Sequence, residues 1–319
     1  MNHASKIITT VTNLTVIVGA GLTAGCRRTP SPETNATDTG ATPVVCTVNY
    51  PLQYFADRIG GDLVDVRFPA PADGDPAFWR PDPAAIATFQ SAGLILRNGA
   101  DYAKWIRQAA LPRSRMVDTS ASFADRLIAV DEPATHAHGP EGEHAHTGTA
   151  FTTWIDFELA IAQARAVHDA LAALRPDSRE TLADNLASLE ADLNQLDAQM
   201  VAIGKALDGA PLVASHPIYQ YWARRYGLAV TSVQWEPETV PDDAAMTTLS
   251  GILADHPAKT MIWEGPPDPR SAERLAIIGV SSVVFDPCAN VPAEGDFLSV
   301  MRANVANLSD LASLARLVP

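Results

Sequence analysis

Apolar residues between positions 176 and 209 recur with the period of an α-helix. Steps of four and three residues separate eight of them in turn: Leu182, Leu186, Leu189, Leu193, Leu196, Met200, Ile203 and Leu207. That spacing lines one face of a single helix. Asp177 and Glu180 have the spacing of a capping box, and Asp208-Gly209 has the composition of a helix end. We therefore predict a helix over residues 177–207, about 46 Å long.

Short β-branched runs alternate with helix-like stretches on both sides of this helix. The predicted strands are 44–48, 63–68, 94–97, 126–130, 211–215, 228–233, 260–263 and 282–285, and the predicted helices of the first half are 52–59, 83–90 and 103–110. Such alternation is typical of α/β domains with parallel sheets. We predict an N-terminal lobe over 43–175, a linking helix within 176–208 and a C-terminal lobe over 209–319. A coiled coil with another chain, the alternative for the helix, needs a longer apolar stripe.

The N-terminus has the layout of a secretory signal over residues 1–26. Lys6 is its only cation, and an apolar stretch over 7–22 is too short and interrupted for a stable membrane span. Its last five residues, Leu-Thr-Ala-Gly-Cys, resemble a bacterial lipobox and predict lipidation of Cys26. A plain secretory signal with an incidental cysteine is the alternative. With a flexible tether over 27–42, this predicts an extracytoplasmic, lipid-tethered protein in the periplasm or at the cell surface.

Composition excludes several classes of protein. The 319 residues are 47% hydrophobic, enough for a large core, and their net charge of −14 disfavours binding to nucleic acid. The three cysteines form neither a disulfide framework nor a C-x-x-C pair, so a metal site must use histidine and carboxylate. No serine nucleophile elbow, H-E-x-x-H or glycine-rich phosphate loop is present, so we do not expect an enzyme. The one thiol candidate for an enzyme is Cys288 beside His216, and a small buried cysteine is the alternative for it.

Ligands of open α/β sheets bind at the carboxyl ends of strands. His216 and Asp286 each follow a predicted strand of the C-terminal lobe, and imidazole with carboxylate suits zinc or manganese. The alternatives are that His216 caps a helix and that Asp286-Pro287 opens a turn. Further polar and aromatic candidates at strand ends are Asn49-Tyr50-Pro51, residues 75–80, Asn98-Gly99, Gln234-Trp235-Glu236 and Glu264.

Half of the eight histidines lie within eleven residues, at His136, His138, His144 and His146. Such tracts bind zinc weakly, because flexible imidazoles must be ordered to coordinate it. We predict an auxiliary, low-affinity metal loop at this place. A solvated surface loop without a metal is the alternative.

Taken together, these motifs resemble the cluster A-I substrate-binding proteins of bacterial zinc and manganese ABC transporters, over about residues 43 to 310. The similar segments are Tyr50-Pro51-Leu52 with Ile59-Gly60-Gly61, Asn98-Gly99 with Trp105, Trp154-Ile155-Asp156, Ser215-His216 with Tyr221 and Tyr226-Gly227-Leu228, Asp286-Pro287, and the helix from Asp296-Phe297 to Asn304. The resemblance implies two Rossmann-like lobes with small parallel sheets, joined by one long rigid linking helix.

The resemblance also implies metal ligands from both lobes, two from each. His216 and Asp286 match the C-lobe pair, with Glu264 as a nearby carboxylate. The two N-lobe histidines of the family fall on Ala77 and Thr152 and are missing here. The residues that could complete the ligand set are Asp75, Asp82, His144 and His146.

We therefore expect a monomeric solute-binding protein that captures a divalent metal, zinc with manganese as the alternative, between its lobes and passes it to an ABC permease. One alternative is the same scaffold binding a metal chelate or small organic ligand, with Trp79, Arg80, Trp235 and Glu264 near the cleft. Another is a degenerate site on a surface adhesion or scaffold protein.

Overall fold

The computed structural model describes residues 42–137 and 143–315, with side chains outside 131–147 and 314–315. The predicted signal, its lipidated Cys26, the tether up to residue 41 and His138 lie outside the described residues.

The N-terminal lobe is built on a four-stranded parallel sheet. Its strands are β1 (Val44–Thr47), β2 (Asp65–Arg67), β3 (Leu94–Arg97) and β4 (Met116–Asp118), in the order β2-β1-β3-β4. Helices α1 (Tyr50–Gly60) and α2 (Pro83–Ser91) connect the first three strands. Asn49 and Asp82 begin these helices, because each side chain accepts a hydrogen bond from a backbone N–H of the first turn.

An antiparallel ribbon and one long helix complete this lobe. The ribbon consists of β5 (Ala129–Ala137) and β6 (Glu143–Thr149), and α3 (Phe157–Leu174) follows it. The Asp156 side chain caps α3 by accepting from the N–H groups of Glu158 and Leu159. This helix is not among those predicted from the sequence, although the alanine and leucine content of 157–174 favours a helix.

The C-terminal lobe repeats the parallel architecture in the order β10-β9-β7-β8. Its strands are β7 (Pro211–Ala214), β8 (Ala229–Ser232), β9 (Thr260–Trp263) and β10 (Ser281–Val284), and its helices are α5 (Gln220–Tyr226), α6 (Asp243–Asp255), α7 (Pro269–Ile277) and α8 (Phe297–Ala315). All four predicted strands of this lobe are confirmed, with ends that differ by at most one residue from β7, β8, β9 and β10.

Several predictions for the first half were wrong. The strand expected over 126–130 begins only at Ala129 and pairs in the ribbon, while the fourth strand of the sheet is β4. The helix expected over 103–110 is only a short 3-10 turn over Lys104–Arg107, with Ala103 in a left-handed backbone before it and Gln108 at its end. The strand expected over 63–68 is shortened to β2 by the 3-10 turn Gly61–Leu63.

The linking helix α4 covers Arg179–Leu207. Its predicted capping box is wrong: residues 176–178 form a 3-10 turn, and Ser178 is the cap position, without a side-chain hydrogen bond. The apolar stripe itself is confirmed, since all of its residues except Leu186 are fully buried and Leu186 packs against the same core.

One apolar cluster runs through both lobes by way of α4. It contains Val45 and Ile95 of the first sheet, Leu193 of α4, and Ile262 and Phe285 of the C-terminal lobe. The stripe is therefore covered by the protein's own helices, not by a second chain. Among the described residues, none of the helices has the length and apolarity needed to cross a membrane.

We expect Leu189→Ala to lower the free energy of unfolding by about 2–5 kcal/mol, because it leaves a cavity in the core that joins the lobes. Urea unfolding followed by circular dichroism measures this loss. Leu186→Ala is the matched control on the same stripe, and its partly buried side chain predicts a smaller loss. Equal losses for the two variants would contradict the core assignment of Leu189.

Candidate metal centre

Three potential metal ligands lie at the carboxyl ends of neighbouring strands of the C-terminal sheet. His216 comes two residues after β7, Glu264 directly after β9, and Glu236 four residues after β8. Because β9 and β8 flank β7 in a parallel sheet, these ends meet at one edge. The strand order thus brings together residues that are up to 48 positions apart in the sequence.

The three side chains converge on each other. Nδ1 of His216 lies 3.0 Å from Oε1 of Glu264, and Nε2 lies 3.3 Å from Oε1 of Glu236. One potential ligand atom from each residue lies within 4.8 Å of the other two, and within the described part of the chain no other group of three or more such residues meets this condition. The imidazole is 1% exposed, whereas the two carboxylates are 24% and 21% exposed. The cluster is therefore anchored by a buried histidine and open to solvent on its carboxylate side.

A tryptophan precedes each of the two carboxylates and fixes its backbone. The Trp235 N–H donates to the Ser215 carbonyl at 2.8 Å, and the indole of Trp263 donates to the Ser282 hydroxyl at 3.1 Å. The two indole rings lie 6.2 Å apart in a buried cluster behind the sheet edge. Glu236 and Glu264 consequently project from backbone that cannot move independently of the lobe.

The chemistry of this donor set suits a divalent transition metal. An imidazole can give one ring nitrogen to a metal, and its other nitrogen then donates to an acceptor that fixes the ring. His216 has a carboxylate beside each nitrogen, so one glutamate can share the ion while the other orients the ring. One nitrogen and carboxylate oxygens suit zinc or manganese, and so few protein ligands leave a coordination position open.

Asp286 lies at the end of the neighbouring strand β10 but is not a member of this cluster. Asn304 fixes its backbone on both sides, and burial raises the pKa of its carboxyl even though the Cys288 N–H donates to it. The fully buried Tyr219 has a raised pKa because of burial, and the charges of Glu264 and Asp286 contribute. Asp286 thus lies on the same side of the sheet as the cluster, and its role as a metal ligand stays a prediction.

Cys288 is a poor candidate for a nucleophile. It is 2% exposed, and burial, with a contribution from Asp286, raises the pKa of its thiol well above the usual range. A buried thiol that keeps its proton is unreactive, since the thiolate is the attacking species.

The N-terminal lobe places no histidine at the two positions where the resemblance implies one. Ala77 is buried, and Thr152 is 3% exposed with its hydroxyl donating to the carbonyl of Ile218 in the other lobe. Asp75 lies in the loop between β2 and α2, where one of its carboxylate oxygens accepts from the Ala77 N–H at 2.8 Å. Asp75 is not a member of the cluster, and the side chain of Asp82 is used as the cap of α2.

The histidine-rich segment forms the backbone of the β5-β6 ribbon. In the backbone register of the ribbon, position 136 pairs with 144 and position 134 pairs with 146. The base of the ribbon, Val130 and Thr149, borders a cavity of about 20 Å³ that Pro217 also lines. The ribbon therefore starts beside the residue that follows His216.

Sequence reasoning named Glu236 only as a strand-end residue and missed it as a ligand. The signal that could have found it is the dipeptide Trp-Glu, which occurs after two strands of the same lobe, at 235–236 and 263–264. In each dipeptide the indole packs in the buried cluster and the glutamate that follows lies at the edge of the sheet.

Known proteins share this fold and sequence pattern. The family described as zinc-uptake complex component A, periplasmic, matches residues 44–311. The chain belongs to this family. The resemblance predicted from the sequence motifs is therefore confirmed.

Two relatives illustrate the range of the family. The chain is 25% identical over 282 residues to the high-affinity zinc uptake system protein ZnuA of Bacillus subtilis, covering 83% of this chain and 86% of that one. It is 24% identical over 276 residues to the zinc-binding lipoprotein AdcA of Streptococcus pneumoniae R6, covering 83% of this chain and 54% of the relative. The chain thus spans about half the length of AdcA.

Solved structures of the family have the same two-lobed fold. The metal-dependent lipoprotein YcdH from Bacillus subtilis superposes with a TM-score of 0.71 at 22% identity, covering 84% of this chain and 98% of that one. The Zn(II)-bound AdcA from Streptococcus pneumoniae gives a TM-score of 0.71 at 21% identity, covering 86% and 57% of the two chains. The predicted fold of two α/β lobes with small parallel sheets is confirmed.

We expect Thr152→Val to lower the free energy of unfolding by about 1–3 kcal/mol and to leave metal affinity unchanged. The substitution keeps the volume of the side chain but leaves the Ile218 carbonyl without its donor. Thr152→Ser keeps the donor and is the matched control. Urea unfolding and zinc calorimetry on the same samples measure both effects, and a loss of affinity that is as large as for a ligand variant would contradict a purely structural role.

Proposed function

We propose that the protein is an extracytoplasmic solute-binding protein that captures a divalent metal ion, zinc, and delivers it to an ABC importer. The observation that carries this proposal is the convergence of His216, Glu236 and Glu264 at one sheet edge. Membership of the zinc-uptake family supports zinc as the cargo.

The three residues that converge, His216, Glu236 and Glu264, all come from the C-terminal lobe. One ring nitrogen of His216 binds the ion together with a carboxylate of Glu236 or Glu264, and the other carboxylate orients the ring. Asp286 and Asp75 are the described residues proposed to complete the shell, with water in any position that stays open. Carboxylates thereby replace the N-lobe imidazoles that the resemblance implies at positions 77 and 152.

A small cavity lies beside the residue that follows His216. The cavity beside the cluster, lined by Phe78, Phe151, Thr152 and Pro217, holds about 20 Å³, which is space for about one water molecule. The small cavity is suited to a water ligand of the bound ion.

The partner and the location follow from the same proposal. The family is periplasmic by its description, which supports a place outside the cytoplasm. We propose that a lipid on Cys26 holds the protein at the membrane beside a cognate permease. The monomeric state stays a prediction.

We expect zinc calorimetry on EDTA-stripped protein lacking residues 1–26 to reveal one tight site, which His216→Ala abolishes. His168→Ala is the matched control, since His168 lies on α3 with its Nδ1 3.0 Å from Oδ1 of Asp169. Deletion of residues 134–148 leaves the tight site if the loop is auxiliary. A tight site that survives His216→Ala and disappears with the deletion would place the metal in the loop instead.

We expect Glu236→Gln and Glu264→Gln each to weaken zinc binding by about 10- to 100-fold or more, because the amide keeps the shape and removes the charge. Glu238→Gln, on the exposed turn after β8, is the control. Trp235 and Trp263 precede the two ligands, so quenching of their fluorescence by Co²⁺ gives a second readout. If neither variant changes zinc affinity, the cluster is not the site.

A further inference from the structure

The segment that follows Asp286 crosses from the C-terminal lobe onto the N-terminal lobe. The carbonyl of Pro287 accepts from the indole N–H of Trp154 at 2.7 Å, and the carbonyl of Ala289 accepts from the Tyr50 N–H at 3.0 Å. Both donors are buried in the N-terminal lobe. Main-chain contacts therefore fix this segment before it reaches Asn290.

The side chain of Asn290 makes an unusual set of contacts to the N-terminal lobe. Its Nδ2 lies 2.8, 3.2 and 3.0 Å from the carbonyl oxygens of Pro71, Ala72 and Gly74. Its Oδ1 accepts from the N–H of Val291 at 2.8 Å. The opposite orientation of the amide would point Oδ1 at three carbonyl oxygens, so the contacts fix the amide nitrogen toward the N-terminal lobe.

Residues 71–74, three of whose carbonyls accept from Asn290, lie on the surface. Positions 71–74 are exposed, and Gly74 has a φ of 123°, a backbone that other residues rarely adopt. The amide of Asn290 reaches the backbone carbonyls of three of these four residues. An exposed segment held by one side chain opens at a lower free energy than the core.

Residues 71–74 continue into the turn that carries Asp75 and Phe78. Asp75 is next, and its carbonyl accepts from the N–H groups of Phe78 and Trp79. Phe78 lines the small cavity together with Pro217, the neighbour of His216, and packs on Phe151 with ring centroids 6.0 Å apart. A displacement of 71–74 therefore moves the turn that carries Phe78, which borders this cavity beside Pro217.

Other contacts prevent the lobes from opening as rigid bodies. They share one core, and the Tyr221 hydroxyl donates to the Ala150 carbonyl while accepting from the Ile128 N–H across the lobe boundary. Exchange of the ion between site and solvent must therefore use a local movement. The loop from 71 to 79 can supply it, since its Phe78 borders the cavity beside Pro217, the neighbour of His216.

We propose that Asn290 is a positioning residue that pins this loop over the metal centre and so sets the rate at which the ion leaves. The inference rests on the proposed function, since it concerns release from the cluster of His216, Glu236 and Glu264. Release requires the three contacts of the Asn290 amide to break.

The test compares Asn290→Asp with wild-type protein. The substitution keeps the size of the side chain and replaces the donor with oxygens that face three carbonyl oxygens. Asn307→Asp is the matched control, because its amide donates to the Val284 carbonyl within the C-terminal lobe. Asn290→Ala is the second variant, which removes the donor without adding a charge and serves if the aspartate variant does not fold.

Two measurements separate the inference from the proposed function. Hydrogen exchange on metal-free protein is expected to be about tenfold or more faster in 71–79 for Asn290→Asp, and unchanged for Asn307→Asp. Stopped-flow transfer of zinc to a chelator is expected to be faster by a similar factor, with the midpoint of thermal unfolding almost unchanged.

Unchanged hydrogen exchange in 71–79 would contradict the proposal that Asn290 holds this loop. Faster exchange with an unchanged zinc release rate would overturn its control of release. If wild-type protein has no tight zinc site, the proposed function fails and the exchange experiment still decides whether Asn290 holds the loop.

Discussion

The two lobes of this protein share one apolar core, and α4 carries that core from one to the other. Leu193 and Leu196 of α4 are buried in the same cluster as Ile95 of the N-terminal sheet and Ile262 of the C-terminal sheet. A rotation of one lobe against the other would expose this surface, at about 25 cal/mol for each Å² of apolar area. The relative position of the lobes is therefore fixed by the hydrophobic effect, and the site must work within that constraint.

Because the lobes are fixed relative to each other, the ligands do not have to draw them together when the ion binds. When ligands come from both lobes, binding of the ion can pull the lobes together, but here the cluster belongs to one sheet edge and is complete without movement of the other lobe. The N-terminal lobe contributes packing instead: Phe78 and Phe151 line the cavity beside the cluster.

Much of this could be predicted from the sequence, because the period of the apolar residues reflects burial directly. The stripe of α4 and the four strands of the C-terminal lobe follow from it, and His216 and Glu264 follow from the rule that ligands bind at strand ends. The three-residue strand β4 was missed because so short a run has no detectable period. The convergence of Glu236 on His216 could not be predicted, since it depends on the strand order and on how far the chain continues beyond β8 before it turns.

Thr152 shows why the missing histidines need not mean a lost site. Its hydroxyl donates to the carbonyl of Ile218, so this position now contributes a hydrogen bond between the lobes where the family resemblance implies a ligand. Such a bond stabilises the closed arrangement even without an ion, whereas an imidazole at the same place would need an ion to complete its contacts. With closure independent of the ion, the ligands can all lie in one lobe, and carboxylates that are partly exposed to solvent can reach the ion first. The proposed site of His216, Glu236 and Glu264 therefore does not depend on a histidine at position 152.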